Sequence, residues 1–299
     1  MLQTNNLSAL YKQRFGQRSA KPLSDEEFQE LSRFIYQKTG IEFKERKKYL
    51  LQNRLTERMT ELGVKSYREY ISLLKHDFSG REMKKLAVSI TINETSFMRN
   101  LPQLLEFQNR ILPELVQKVR GRINKPIRVW SAGCSSGEEP YSIGMLALEK
   151  FPLLASNRQL EIIGTDINME VLERARRGKY SNLNLKNLAP KYLSTYFRRT
   201  VDGYEVVDKV KQLVQFDYLN LIDTSRMKAL VRSVDVIFFR NVMIYFGIDV
   251  RKKIISDMYD LLQPGGYLLL GHSESLHGIS KAFKLKSVGK SLVYYKEAN

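Results

Sequence analysis

Hydrophobic positions recur at helical spacing in the first third of the chain and in short blocks thereafter. Ser24-Asp-Glu-Glu27 places a Ser three residues before a Glu, just ahead of Phe28, Leu31, Phe34 and Ile35. That is a capping box opening an amphipathic helix. Residues 44–62 predict a second helix, with Leu51, Leu55, Met59 and Leu62 on one face and Lys47, Arg54 and Arg58 in a separate basic stripe. Gly63 suits its C-cap. Residues 66–74 and 80–89 predict two shorter helices. Residues 22–90 therefore predict an all-α domain. Residues 1–21 are polar without apolar periodicity and predict a flexible tail.

From residue 127 the pattern becomes β-α-β. Apolar runs at 127–134, 160–167, 234–242 and 266–271 alternate with amphipathic stretches at 141–150, 169–177 and 250–262. Such alternation predicts a parallel sheet covered by helices. Runs at 283–288 and 292–296, joined by Gly289-Lys290-Ser291, predict a closing antiparallel hairpin. The alternation breaks between Gly178 and Asn220. Asp202-Gly203 flanked by β-formers predicts a small antiparallel flap, placed at about 190–218. The domain reading is a tail over 1–21, a helical domain over 22–90, a linker over 91–125 that contributes to the site, and an α/β domain over 126–299.

Composition narrows the class. With 43% hydrophobic and 27% charged residues the chain reads as globular. No apolar run approaches a membrane span and the start lacks a signal-peptide layout. Cys134 is the single cysteine, which excludes an internal disulfide and suits a reducing, cytoplasmic setting. The net charge of +17 is denser towards the start, with a basic surplus of 10 over residues 1–125 and 7 over 126–299. Such a field attracts nucleic acid, anionic membrane or acidic protein alike and does not choose among them.

Four segments carry candidate chemistry. Trp130-Ser-Ala-Gly-Cys-Ser-Ser-Gly-Glu-Glu-Pro-Tyr-Ser142 follows the first strand. Its small residues let a ligand approach the backbone where open α/β sheets bind cofactors. It lacks the full G-x-G-x-x-G, so a dinucleotide is not favoured. A plain tight turn is the competing reading, and Glu138 and Glu139 would either complement a helix dipole or meet the positive amino group of a cofactor. Ile163-Gly-Thr-Asp-Ile167 ends the second strand. Asp166 there can accept from both hydroxyls of a ribose, or simply cap the next helix. Thr91-Ile-Asn-Glu-Thr-Ser-Phe-Met-Arg99 concentrates small polar side chains and one Arg, as a polar cleft or a capped linker would. In Phe238-Phe-Arg-Asn-Val-Met-Ile-Tyr-Phe246, Arg240 and Asn241 interrupt a buried run at its carboxyl end. As a structural residue, Arg240 would need an acid nearby. His76, His272 and His277 show no metal-ligand spacing, and no P-loop is present, so neither a metal nor ATP hydrolysis is expected.

These segments, in this order, resemble the chemotaxis receptor methyltransferases of the CheR family. The resemblance covers residues 22 to 296. It implies an S-adenosylmethionine-dependent, Rossmann-like methyltransferase domain with a three-stranded β-subdomain insert, preceded by an all-α domain. It implies transfer to glutamate side chains of chemoreceptor cytoplasmic helices, giving γ-methyl esters and S-adenosylhomocysteine. Carried over by position, Asn93, Thr95, Arg99, Ala132, Glu138, Asp166, Ile167, Asn220, Leu221 and Asn241 surround the cofactor. Arg99 and Tyr245 face the acceptor carboxylate, and Lys47, Arg54 and Arg58 match the receptor-binding helix. Met98 departs from the family's aromatic, and the compact flap implies weak or absent binding of a receptor's carboxyl-terminal tether. Nucleic acid is not expected as a partner. An amine or nucleic-acid acceptor is the alternative, and the oligomeric state is left open, a monomer among the options.

Overall fold

A computed structural model describes residues 22–119, 125–154, 159–186 and 188–298. The tail expected over 1–21 and residues 120–124 of the expected linker lie outside the described residues. The chain divides into two compact units, one ending at Ile90, the other comprising Thr39–Glu42 and everything from Thr91 onward.

The first unit packs α1 (Asp25–Thr39), α2 (Lys48–Leu62), α3 (Tyr67–His76) and α4 (Arg81–Ile90). The capping box forms as the spacing requires. Glu27 N–H donates to Ser24 Oγ at 3.2 Å, and Ser24 N–H donates to Glu27 Oε2 at 3.0 Å. Helix α1 buries Phe28, Leu31 and Ile35, and α2 buries Leu51, Leu55 and Met59. Gly63 closes α2 at φ 69, a left-handed value that favours glycine. The predicted helix over 44–62 is in fact a short 3₁₀ turn, Glu45–Lys47, followed by α2. Lys47 therefore stands at the entrance of α2 rather than on its face.

The second unit begins with helices where a linker is expected. The stretch expected as a linker contains α5 (Leu101–Glu106) and α6 (Leu112–Val119), joined by a π turn at Phe107–Ile111. Pro113 has no N–H to give the carbonyl four residues back, and the widened turn directly before it accommodates the missing bond. Leu104, Phe107, Ile111, Leu112 and Leu115 are buried, so this helix is core rather than connector.

The sheet follows. Strands β1 (Ile127–Ala132), β2 (Leu160–Asp166), β6 (Val214–Tyr218), β7 (Val234–Phe239) and β8 (Leu262–Leu270) run parallel. The hairpin β9 (Lys284–Val288) and β10 (Ser291–Tyr295) adds antiparallel to β8, giving the order β6-β2-β1-β7-β8-β10-β9. Strands β1, β2 and β7 are buried almost throughout, as strands covered on both faces must be. Intervening helices are α7 (Glu138–Lys150), α8 (Met169–Arg177), α9 (Asn182–Leu185), α10 (Pro190–Tyr196), α11 (Asp208–Lys211), α12 (Thr224–Val231) and α13 (Ile248–Leu261). Strand order reverses at β1, which opens the ligand crevice at its carboxyl end.

The flap is a three-stranded antiparallel sheet of β3 (Lys179–Tyr180), β5 (Gly203–Val206) and β4 (Phe197–Thr200). It begins earlier and ends earlier than expected. Val214–Tyr218, expected in the flap, is instead the edge of the main sheet in parallel register with β2. Leu213 and Phe216, buried in the main core, draw it there.

Candidate functional site

The loop after β1 is built around Ser135. Gly133 and Cys134 donate their N–H groups to the Thr165 carbonyl at 2.8 and 2.9 Å, which locks the β1 loop to the end of β2. A Cβ on Gly133 would lie 2.5 Å from Val242, so glycine is what permits the β1 and β7 loops to approach. Ser135 N–H donates to Asp166 Oδ2 at 2.9 Å, and Ser135 Oγ donates to the Asn93 carbonyl at 3.0 Å. Leu219 N–H donates to the Asp166 carbonyl at 3.0 Å, bringing Asn220 and the buried Leu221 to the same strand end. Asn93, Asp166 and Asn220, distant in sequence, thus meet at one loop. Ala132 is buried directly beneath it, Ile167 is half-buried directly after Asp166, and Thr95 is half-buried in the Asn93 loop.

Asp166 is not the helix cap. The side chain of Asn168 caps α8, accepting from Glu170 N–H at 2.9 Å and Val171 N–H at 3.3 Å. Asp166 accepts one N–H on each oxygen, from Ser135 and from Asn168 at 2.9 Å, which leaves acceptor capacity on both. Burial pushes its carboxyl above the usual range, and the N–H donors of Asn168, Ser135 and Ile167 oppose that.

Glu138, at the first position of α7, is fully buried. Its Oε2 accepts from Ser136 Oγ at 2.8 Å, while Oε1 has no hydrogen-bond partner among the described residues. Burial raises its pKa, with Ser136 opposing. A helix-dipole role would leave such a carboxylate in solvent. A sealed, half-satisfied carboxylate one loop away from Asp166 instead fits a ligand that brings a cationic donor.

Arg240 gains the acid that its burial requires. Its Nη1 lies 3.0 Å from Glu139 Oε2, and Glu139 Oε1 accepts from Ser131 Oγ at 2.7 Å. Arg240 Nη2 donates to the Arg99 carbonyl at 2.6 Å. Ser142 adds a second clasp, accepting from Met98 N–H at 2.9 Å. The 93–99 loop is thereby held against β1, α7 and β7, with Met98 and Asn100 at φ 56 and 54. Ser131 and Glu139 lie in the loop the sequence singles out, but their link to Arg240 is not foreseen there. The signal was Arg240 itself, a cation inside an apolar run that demanded a partner.

Arg99 is half-buried. Its guanidinium donates to the Glu94 carbonyl at 2.9 Å and has no carboxylate partner among the described residues. Tyr245 ends a 3₁₀ turn, Met243–Tyr245, and its carbonyl accepts from Glu42 N–H at 2.9 Å. Asn241 adopts φ 60, and its N–H donates to Glu274 Oε2 at 2.7 Å. Lys47, Arg54 and Arg58 belong to the helical unit. There Arg58 forms a two-pronged pair with the buried Glu82, at 3.0 and 2.6 Å, and Arg54 donates to the Ile90 carbonyl. No group of three or more His, Cys, Asp or Glu side chains suited to a metal occurs among the described residues.

Asp166 and the buried Glu138 stand at the carboxyl ends of β2 and β1 beside the switch in strand order, where open α/β sheets bind their ligands. Residues 93–291 match the family described as CheR methyltransferase, SAM binding domain, and residues 26–91 match CheR methyltransferase, all-alpha domain. The chain is 38% identical over 275 residues to chemotaxis protein methyltransferase 2 of Vibrio cholerae, covering 92% of this chain and 94% of that one. It is 38% identical over 285 residues to the chemotaxis protein methyltransferase of Vibrio parahaemolyticus, covering 92% and 98%. To that of Borreliella burgdorferi it is 36% identical over 258 residues, covering 86% and 90%. The chain belongs to the CheR methyltransferase family. It is an S-adenosylmethionine-dependent methyltransferase.

Proposed function

We propose that the enzyme serves chemotaxis signalling by methylating glutamate side chains in the cytoplasmic helices of chemoreceptors, forming γ-methyl esters. S-adenosylmethionine, when bound, supplies a methyl group on a cationic sulfur, which an anion displaces in line. Asp166 would accept from the ribose hydroxyls and Glu138 from the α-ammonium. Asn93, Thr95, Ala132, Ile167, Asn220, Leu221 and Asn241 would form the remaining wall.

The observation that carries the glutamate reading is Arg99. A half-buried guanidinium with no carboxylate partner among the described residues, on a loop clasped by Arg240, suits an anionic acceptor. A glutamate side chain ordinarily titrates at about 4.3 and is already nucleophilic at neutral pH, so the protein has no proton to remove. Arg99 would hold the acceptor carboxylate, Tyr245 would donate a hydrogen bond to it, and positioning supplies the rate enhancement.

Lys47 and Arg54 would meet the acidic receptor surface, and Arg58 would contribute through the α2 face that it helps hold. The relatives' name, chemotaxis protein methyltransferase, supports this reading. Arg99→Ala is expected to lower turnover on receptor fragments roughly 100-fold, the loss of a charge-assisted pair. S-adenosylhomocysteine affinity should change less than turnover. Undiminished turnover in that variant would remove Arg99 from the acceptor site. Mass mapping of the modified fragment should locate the added methyl on glutamate.

A further inference from the structure

Parallel neighbours β7 and β8 end side by side, and one carboxylate joins their ends. Glu274 Oε2 accepts from Asn241 N–H at 2.7 Å and from Gly271 N–H at 2.8 Å, while Glu274 N–H donates back to the Gly271 carbonyl at 2.9 Å. The approach is so close that a Cβ on Gly271 would lie 2.7 Å from Glu274 Oε2 and 3.0 Å from Asn241 N. Asn241 is held at φ 60, a left-handed conformation that Asn tolerates better than most residues but that needs support. One oxygen therefore does all of the local structural work. The other, Oε1, is sealed from solvent and has no hydrogen-bond partner among the described residues.

A buried carboxylate oxygen left without a donor is costly, and two backbone N–H groups on its twin do not relieve it. At the carboxyl ends of sheet strands, where this fold binds its ligand, the missing donor is most simply the ligand's own. We propose that Glu274 is a positioning residue for methyl transfer with a second role as cofactor acceptor. Oε2 sets the Asn241 backbone, and Oε1 takes a hydrogen bond from an N–H or O–H donor of the bound cofactor. The proposal rests on the reading of Asn241 as part of the cofactor wall.

Glu274→Gln separates the two roles. The amide oxygen can still accept from Asn241 and Gly271, so a purely structural carboxylate is replaced with little loss. Its NH₂ then stands where Oε1 was and meets the ligand donor as a second donor. Titration calorimetry with S-adenosylhomocysteine, beside a thermal melt, reads the difference. We expect binding to weaken roughly 10- to 100-fold, in line with one lost hydrogen bond to a charged group, with the melting point of the unliganded protein held. A loss of fivefold or less in folded protein overturns the proposal. If Glu274→Gln does not fold, Glu274→Asp, which keeps the charge on a shorter arm, is read against the same fivefold limit. Failure of the wild-type enzyme to bind S-adenosylhomocysteine would sink the cofactor-wall reading instead, and the control titration shows that separately.

Discussion

Glu138 offers a perturbation whose two consequences run in opposite directions. Its Oε1 is buried without a donor among the described residues, and burial raises its pKa. Glu138→Gln keeps the shape and removes the charge, relieving a desolvation penalty on the order of 1–2 kcal/mol. At about 2–4 °C per kcal/mol for a domain of this size, the unliganded melting point should rise by roughly 2–8 °C. On the proposed reading the same change replaces the carboxylate that meets the cofactor's ammonium with a neutral amide, a loss of about 1.5–3 kcal/mol, so S-adenosylhomocysteine should bind roughly 10- to 150-fold more weakly. The pH dependence follows from the sign of the shift. Between the ordinary glutamate value and the raised folded value, the folded state holds more protons than the unfolded. Stability from this group therefore falls as pH rises through that window and is level above it, and the Gln variant lacks the slope. Cofactor affinity should fall as pH drops through the raised pKa, because the proton must leave for the ammonium to bind. Differential scanning fluorimetry and calorimetry on both proteins measure each term. A Gln variant that melts lower, or that binds S-adenosylhomocysteine as tightly as the wild type, would refute the reasoning.

Other expectations are independent of that site. Arg240→Ala strips the half-buried Glu139 of its partner and should cost about 3 kcal/mol. Removing both charges in Glu139→Gln/Arg240→Met should recover much of that stability but not turnover, since the clasp on the Arg99 carbonyl stays lost; denaturant melts and initial rates check both. Arg58→Ala leaves Glu82 buried without its cation and should destabilise the helical unit by about 3 kcal/mol, whereas Lys47→Ala should weaken receptor binding while leaving the melt unchanged. A receptor's carboxyl-terminal tether peptide should show no saturable binding at micromolar concentrations. The flap hairpin is short, four residues a side, around a cavity of about 320 Å³ lined in part by Lys179, Thr200 and Asp202. Micromolar affinity would overturn that.

The α/β alternation is legible because buried parallel strands read as apolar blocks, and the Ser24 capping box and Gly63 terminus read as local chemistry. Helices α5 and α6 read as linker because Pro113 breaks the run, although Leu104, Phe107, Ile111 and Leu115 keep helical spacing and Pro102 stands in the first turn of α5, where proline is tolerated. Strand β6 reads as flap because a short β-forming run does not announce which sheet it joins. Its register against β2 is a tertiary fact. At the site, motif order gathers Asn93, Asp166 and Asn220, but not the links between them. Ser135, which touches both Asn93 and Asp166, looks like loop filler in the sequence, and Asp166 cannot be told from a cap until Asn168 is seen in that role. Glu274 lies 33 residues from Asn241, a separation at which no local pattern operates.

The central claim, that a carboxylate accepts the methyl group, is tested most directly by the lability of the product bond. Receptor cytoplasmic fragments are incubated with the enzyme and methyl-labelled S-adenosylmethionine, then exposed to mild base. The label is expected to leave the fragment as volatile methanol, in proportion to the methyl transferred. Label that stays on the fragment through base, as an N-methyl group would, contradicts it.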